Sequence, residues 1–163
     1  MAEGIPVVRM YTDSSGHTRF AKMQIPVEKK TGLGSVGMFS SLFLNKNIQD
    51  NTGDLKTQFA LTPVPDNLKG EGPKLAHTAP RRQLVLTLSG CLEFKSCDVA
   101  EEDAEHKVII RRGDILLAED LEGAGHVWKF VESSDGNFYP WIRCYIHLGE
   151  EYDHFVSQLV PKS

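Results

Sequence analysis

Short runs of β-prone residues, separated by turn residues, recur along most of this chain. The most regular run covers residues 83–88, and a Ser89-Gly90 turn leads from it into residues 91–95, where apolar and polar residues alternate. Long helical patterns that alternate with strands are absent, which argues against a doubly wound α/β fold. Many short strands with frequent turns predict an all-β sandwich or barrel instead.

The remaining strands are predicted in the same way, from apolar runs bounded by turn residues. Residues 7–11 and 18–27 flank the turn cluster Asp-Ser-Ser-Gly and predict a hairpin. A turn at residues 111–114 is expected to pair 108–110 with 115–118, and a turn at residues 133–137 joins the last two strands. The other predicted strands cover residues 38–44, 55–64, 126–132 and 138–148, and loops are predicted at 31–37, 45–54, 66–74 and 101–107.

A single short helix is predicted, over residues 150–160. Tyr152, Phe155, Val156 and Leu159 share one face there at helical spacing.

Length and charge limit the possible classes of protein. A chain of 163 residues fits one domain, so residues 1–163 are expected to form a single unit. Its net charge of −4 does not resemble the basic surface of a nucleic-acid-binding protein. The sequence has neither a signal-peptide pattern nor an apolar run of about 18 residues, which predicts a cytoplasmic protein without a membrane partner.

The three cysteines, Cys91, Cys97 and Cys144, form no CxxC pair. An odd number without metal-binding spacing predicts reduced thiols rather than a disulfide framework or a zinc site.

Between His77 and His126 the chain resembles the cupin superfamily. The first cupin motif reads G-x5-H-x-H-x3,4-E-x6-G. Here His77 takes the place of the first histidine, Ala79 of the second, Gln83 of the glutamate and Gly90 of the last glycine. Gly72 lies one residue closer to His77 than the pattern requires.

The second cupin motif reads G-x5-P-x-G-x2-H-x3-N. It is similar to the segment that begins at Gly113-Asp114, with Glu119 at the proline and His126 at the histidine. The two motifs cover about residues 72–130, and strands from residues 5–65 would complete a double-stranded β-helix, or jelly-roll barrel.

The resemblance implies a divalent metal site inside that barrel. Cupins that bind Fe, Mn, Ni, Cu or Zn hold the ion with three histidines and a glutamate, and His77, Gln83 and His126 are the candidate ligands here. An imidazole and a carboxylate of that set are missing.

Four further residues are candidates for contact with a substrate. Successive side chains of an extended segment point to opposite faces, so either Arg81 or Arg82 is expected to enter the cavity and bind a carboxylate. Trp128 and His147 are candidate wall residues of the same pocket, whereas His17, His106 and His154 are expected to be solvated.

Two functional hypotheses remain open. The first is a metal-dependent oxygenase, isomerase or lyase that acts on a small anionic organic molecule. The second is a metal-free cupin that binds a small molecule or has a structural role without catalysis. A homodimer is expected in either case, because an exposed strand edge would otherwise favour aggregation.

Overall fold

Eleven β-strands and one short α-helix make up the described part of this chain. The computed structural model describes residues 4–30, 34–37, 57–66, 75–97, 99, 106–149 and 152–161, with the backbone alone at 27–30 and 34–37. The strands are β1 (Gly4–Thr12), β2 (Thr18–Lys30), β3 (Gly34–Gly37), β4 (Thr57–Thr62), β5 (Gln83–Ser89), β6 (Cys91–Ser96), β7 (Lys107–Arg111), β8 (Ile115–Glu119), β9 (His126–Phe130), β10 (Trp141–His147) and β11 (Val160–Pro161), and the helix is α1 (Tyr152–Gln158).

The strands form a large and a small sheet. The large sheet has the order β11-β2-β1-β8-β5-β10-β4, with β3 paired to β2, and the small sheet has the order β7-β6-β9. Only the β1–β8 pair is parallel among the described strands. The prediction of a mostly β fold is therefore confirmed. Within the described residues the sheets do not close into a barrel.

The hydrophobic core has two layers, one on each face of the large sheet. Between the two sheets lie Met10, Val85, Leu92, Phe94, Ile110, Leu116, Phe130 and Trp141, all buried. On the other face, Phe155 of α1 packs with Val7, Ile25, Leu84 and Leu117. The central strands β5 and β8 are buried on both faces, which explains their continuous apolar runs.

The chain passes between the two sheets at three of the predicted turns. Strands β5, β8 and β10 belong to the large sheet, and β6, β7 and β9 belong to the small one. The predicted pairing of residues 108–110 with 115–118 is therefore wrong, because β7 and β8 lie in different sheets. At the first passage Gly90 has φ 99°, and a Cβ there would lie 3.1 Å from the Cα of Trp141.

Other local predictions have mixed outcomes. The first hairpin is confirmed, with Thr12 opposite Thr18 in the β1–β2 register. The predicted helix and the strand predicted at 55–64 are confirmed as α1 and β4. The loop predicted at 31–37 is wrong for 34–37, which pair with β2 through their backbone. The strand at 38–44, the loop at 45–54 and most of the loops at 66–74 and 101–107 lie outside the described residues.

No helix in the described part of the chain is long and apolar enough to cross a membrane.

Candidate functional site

A cavity of about 500 Å³ lies between the two sheets and brings together six of the seven predicted site residues. They are His77, Arg81, Gln83, His126, Trp128 and His147. Ala79, at the position of the second cupin histidine, also lines this cavity. No Asp or Glu side chain is among its described lining residues.

The segment 77–79 forms one wall because it pairs with the loop and strand that follow β8. His77 and His126 exchange two backbone hydrogen bonds, with N···O distances of 3.1 and 2.9 Å. The backbone N–H of Ala79 donates to the carbonyl oxygen of Asp120 at 3.0 Å. Gly125 permits this approach, since its φ is 74° and a Cβ there would lie 2.5 Å from the carbonyl oxygen of His77.

His126 is oriented by a buried carboxylate. Its Nδ1 lies 2.6 Å from Oδ2 of Asp120, and the side chains of the two residues are 5% and 0% exposed. Thr18 also donates to Asp120, from Oγ1 at 3.1 Å. Because an ionised carboxylate only accepts hydrogen bonds, Nδ1 carries a proton, and in the neutral imidazole the lone pair is on Nε2.

His77 lies beside His126 at the exposed end of the cavity. The two ring centroids are 4.5 Å apart. Nδ1 of His77 lies 3.2 Å from the carbonyl oxygen of Leu75, which can only accept, so in the neutral imidazole the lone pair is again on Nε2. The two imidazoles therefore each have one nitrogen fixed by the protein and one that remains available.

These histidines provide only part of a metal site. The described residues contain no group of three or more His, Cys, Asp and Glu side chains arranged to hold a metal ion. Gln83 is buried in the cavity wall and supplies a neutral amide oxygen. The set fits two imidazole ligands and one weak oxygen ligand, so a bound metal would depend on its substrate or on water for further coordination.

Arg143 is the main cation in the inner wall of the cavity. Its guanidinium carbon lies 3.8 Å from the centroid of the Trp141 ring and 5.2 Å from that of Tyr145. Nε donates to the hydroxyl of Tyr145 at 2.5 Å, and Nη1 donates to Oγ1 of Thr62 at 2.8 Å. Within the described residues no carboxylate lies within 4.0 Å of this side chain, and Nη2 makes no hydrogen bond.

The two adjacent arginines diverge as alternation predicts. Arg81 lines the cavity, whereas Arg82 lies on the other face of the large sheet, with its guanidinium carbon 4.3 Å from the centroid of the Tyr152 ring. Arg82 is therefore not a wall residue of the cavity, and its predicted contact with a substrate has no support from its position.

One of the histidines expected to be solvated is not. His106 is 3% exposed, and its Nε2 lies 2.5 Å from Nη1 of Arg19. The acidic residues that precede His106 in the sequence suggested a solvated connection, but the side chain of Arg19 on β2 lies against the His106 ring. His154 is exposed as expected, and His17 is partly buried.

Tyr145 is partly buried in the same wall, with its hydroxyl bound by Arg143. With Phe94, Trp128 and Trp141 it gives the cavity four aromatic lining residues, and Trp141 lies edge to face with both Phe94 and Trp128. The site therefore combines an aromatic body, an arginine without a carboxylate partner among the described residues and two oriented histidines.

Comparison with family models, with curated proteins and with solved structures finds no match for the chain.

Proposed function

We propose that this protein binds a small organic anion with a planar, apolar body in the cavity between its sheets. The observation that supports this most strongly is Arg143, a partly buried cation in the cavity wall without a carboxylate partner among the described residues. Removing a cation from water is costly unless it is paired, so a bound carboxylate would relieve that cost. In Arg143 the N–H groups of Nη2 are left to bind such a ligand, because Nε and Nη1 already donate to protein acceptors, and hydrogen bonds from a guanidinium to a carboxylate are strong.

The rest of the cavity favours the same ligand class. A volume of about 500 Å³ is within the usual range for small-molecule pockets. Trp128, Phe94 and Trp141 offer flat apolar surface, and Arg81 at the exposed end adds a second positive charge. The lone pair on Nε2 of His126, held in place through Asp120, provides a hydrogen-bond acceptor or a proton acceptor for the bound molecule.

A survey of ligands tests this proposal. Aromatic carboxylates, aliphatic carboxylates and phosphate esters, each paired with a neutral isostere, are titrated while the fluorescence of Trp128 and Trp141 is recorded. We expect saturable changes with the aromatic carboxylates and at least about tenfold weaker binding of their neutral isosteres. Equal binding of anions and isosteres, or no binding by any compound, would contradict the proposal.

The metal-dependent enzyme is the second candidate, and the two paired histidines favour it. His77, His126 and Gln83 are the residues that would hold the ion. A divalent metal supplies Lewis-acid chemistry, or an oxygen-binding centre when it is redox-active. In this case Asp120 would orient the His126 ligand through the hydrogen bond to Nδ1, as carboxylates commonly do for metal-binding histidines.

Metal content decides between the two candidates. Elemental mass spectrometry is applied to the untagged protein and to His77→Ala and His126→Ala variants. Near-stoichiometric metal in the parent protein that both variants lose supports the metal-dependent site. Negligible metal after incubation with Fe, Mn, Ni, Cu and Zn rejects it and leaves the metal-free binding protein.

The cupin-type jelly roll remains our proposal for the fold. Its support is that the described chain passes between the two sheets four times from β5 to β10, since jelly rolls are double-sheet folds. The placement of His77 and His126 on adjacent backbone segments also agrees with the convergence of the two cupin motifs.

We also propose that the protein is a homodimer. Among the described strands β4 is at an edge of the large sheet, and on it Phe59 and Leu61 are 71% and 62% exposed. Exposed apolar residues on an edge strand favour pairing with a second chain.

A further inference from the structure

Among the described strands the small sheet ends at β7, while the large sheet facing it continues through β1 and β2, so the two sheets form a step there. Val8 and Phe20, on the inner face of the large sheet, are therefore only partly buried against the core. A cleft of about 950 Å³ lies at this step, and its described lining residues include none of those that line the cavity between the sheets.

At this position one edge of β7 has no neighbouring strand among the described residues. Among the described strands β7 pairs with β6 alone. An edge strand presents unpaired N–H and C=O groups, which an extended segment can match with main-chain hydrogen bonds. A strand placed there, about 4.8 Å from β7, would cover Val8 and Phe20.

The described lining of the cleft is positively charged although the chain carries a net charge of −4. Lys22, Lys107 and Arg111 line it, and none of them has a carboxylate within 4.0 Å in the described part of the chain. The carboxylate of Asp114 instead accepts the backbone N–H of Arg111, at 2.7 Å. With Arg19, which pairs with Asp13, the described lining of the cleft has four cations and one carboxylate, so the described lining is net positive.

We propose that this cleft binds an extended acidic segment of a partner protein, which adds to β7 as a fourth strand of the small sheet. Lys107 and Arg111 are four residues apart on one face of β7, about 13 Å along the strand. Acidic residues with the same separation in the partner segment would pair with both. This interaction is separate from the small-molecule cavity and does not depend on its function.

A second copy of this chain fits the cleft less well. Two β7 strands paired antiparallel about Ile109 would place Lys107 of one copy opposite Arg111 of the other. Like charges directly opposite are destabilising, so the charges that attract an acidic strand disfavour self-pairing.

The test uses the full chain and a fluorescein-labelled peptide that alternates Glu and Val over seven residues. Two comparison peptides are used. In the first, Lys replaces Glu. The second keeps the Glu residues, but alternate backbone amides are N-methylated to block one hydrogen-bonding edge. Binding is followed by fluorescence anisotropy, and backbone amide exchange is followed by NMR.

We expect the Glu peptide to bind and to slow amide exchange in β7. Lys107→Glu combined with Arg111→Glu should weaken the affinity for the Glu peptide by about tenfold or more. The control Arg112→Glu changes an exposed neighbour outside the cleft lining and should weaken that affinity by less than about threefold. The N-methylated and Lys peptides should bind at least about tenfold more weakly.

Five results would overturn the proposal. Four of them are no binding of the Glu peptide, equal binding of the N-methylated peptide, equal effects of the Arg112 and cleft variants, and light scattering that shows a dimer abolished by the cleft variant. Slow exchange at the outer edge of β7 in the isolated monomer would also overturn it, because this edge would then already be covered by the chain itself.

Discussion

Asp120 orders the cavity wall through one buried carboxylate. It joins the start of β2, the 77–79 segment and β9, because Thr18, the N–H of Ala79 and His126 all donate to it. A fully buried carboxylate is costly unless each oxygen is satisfied, and here both oxygens accept hydrogen bonds. The position of His126 therefore depends on a residue that is not in the cavity lining.

Replacing Asp120 with Asn should destabilise the protein. One amide nitrogen would face donors such as Thr18 Oγ1 or His126 Nδ1, and we expect a loss of about 2–3 kcal/mol in the free energy of unfolding. Urea denaturation measures this, and ¹⁵N NMR of the imidazole should show that the Nδ1–H tautomer is no longer fixed. Glu122→Gln, at an exposed position, is the control and should remain within about 0.5 kcal/mol of the parent protein. Equal stability of the two variants would show that the buried carboxylate does not order the wall.

Part of the cavity wall could be predicted from the sequence. The cupin spacing selected His77, Gln83 and His126, and all three line one cavity. Arg143 was missed, although it alternates with Trp141 and Tyr145 on β10, so the period of two could have identified it. Asp120 could not be found in this way, because neither its burial nor its donors from distant segments leave a local pattern.

At the scale of elements, local patterns predicted where strands and turns lie but not which sheet each strand joins. The segments 108–110 and 115–118 flank a turn, as a hairpin would, yet β7 and β8 enter different sheets. A turn fixes the reversal of the chain, whereas the partner of a strand depends on non-local burial. The helical spacing at 150–160 was more informative, because its apolar face directly matches the core contacts of Phe155 and Leu159.

Helix α1 is held to the large sheet by a cluster of polar residues as well as by its apolar face. The hydroxyl of Tyr152 donates to Glu119, which also accepts from Nε of Arg9 at 2.7 Å. Burial raises the pKa of the Tyr152 hydroxyl above its usual value of 10.0, and the bond to Glu119 raises it further. The helix is thus docked through a phenol that must remain protonated.

This arrangement predicts a loss of stability in alkali. A group whose pKa is raised on folding contributes stability that is complete below the unfolded pKa, near 10, and is lost as the pH rises through the folded pKa. The free energy of unfolding should fall more steeply above pH 10 in the parent protein than in Tyr152→Phe. Identical slopes for the two proteins between pH 9 and 11 would show that the phenol does not contribute.

At the scale of the whole molecule, two edges of the described sheets differ in character. Strand β4 is at one end of the described large sheet and β7 at one end of the described small sheet. The β4 edge is apolar at the exposed Phe59 and Leu61, and the cleft beside β7 is basic at Lys22 and Lys107. The two edges should therefore have different partners, a second copy of the chain at β4 and an acidic segment at β7.

The dimer prediction is tested at β4. Phe59→Asp combined with Leu61→Asp should convert the dimer into a monomer, because two charges would replace exposed apolar surface on the pairing edge. Light scattering at micromolar concentration measures the mass. Leu75→Asp, which changes an equally exposed leucine outside β4, should leave the dimer intact. A monomeric parent protein would contradict this prediction.

The central claim is that Arg143 recognises the charge of a ligand in the cavity. Calorimetric titration of benzoate and of benzamide into the parent protein and into Arg143→Gln tests it directly, with Arg112→Gln as an exposed control outside the cavity. We predict that the parent and control proteins prefer benzoate by about tenfold or more and that Arg143→Gln loses this preference. A preference that is unchanged in Arg143→Gln, or an absence of binding in the parent protein, would contradict the claim.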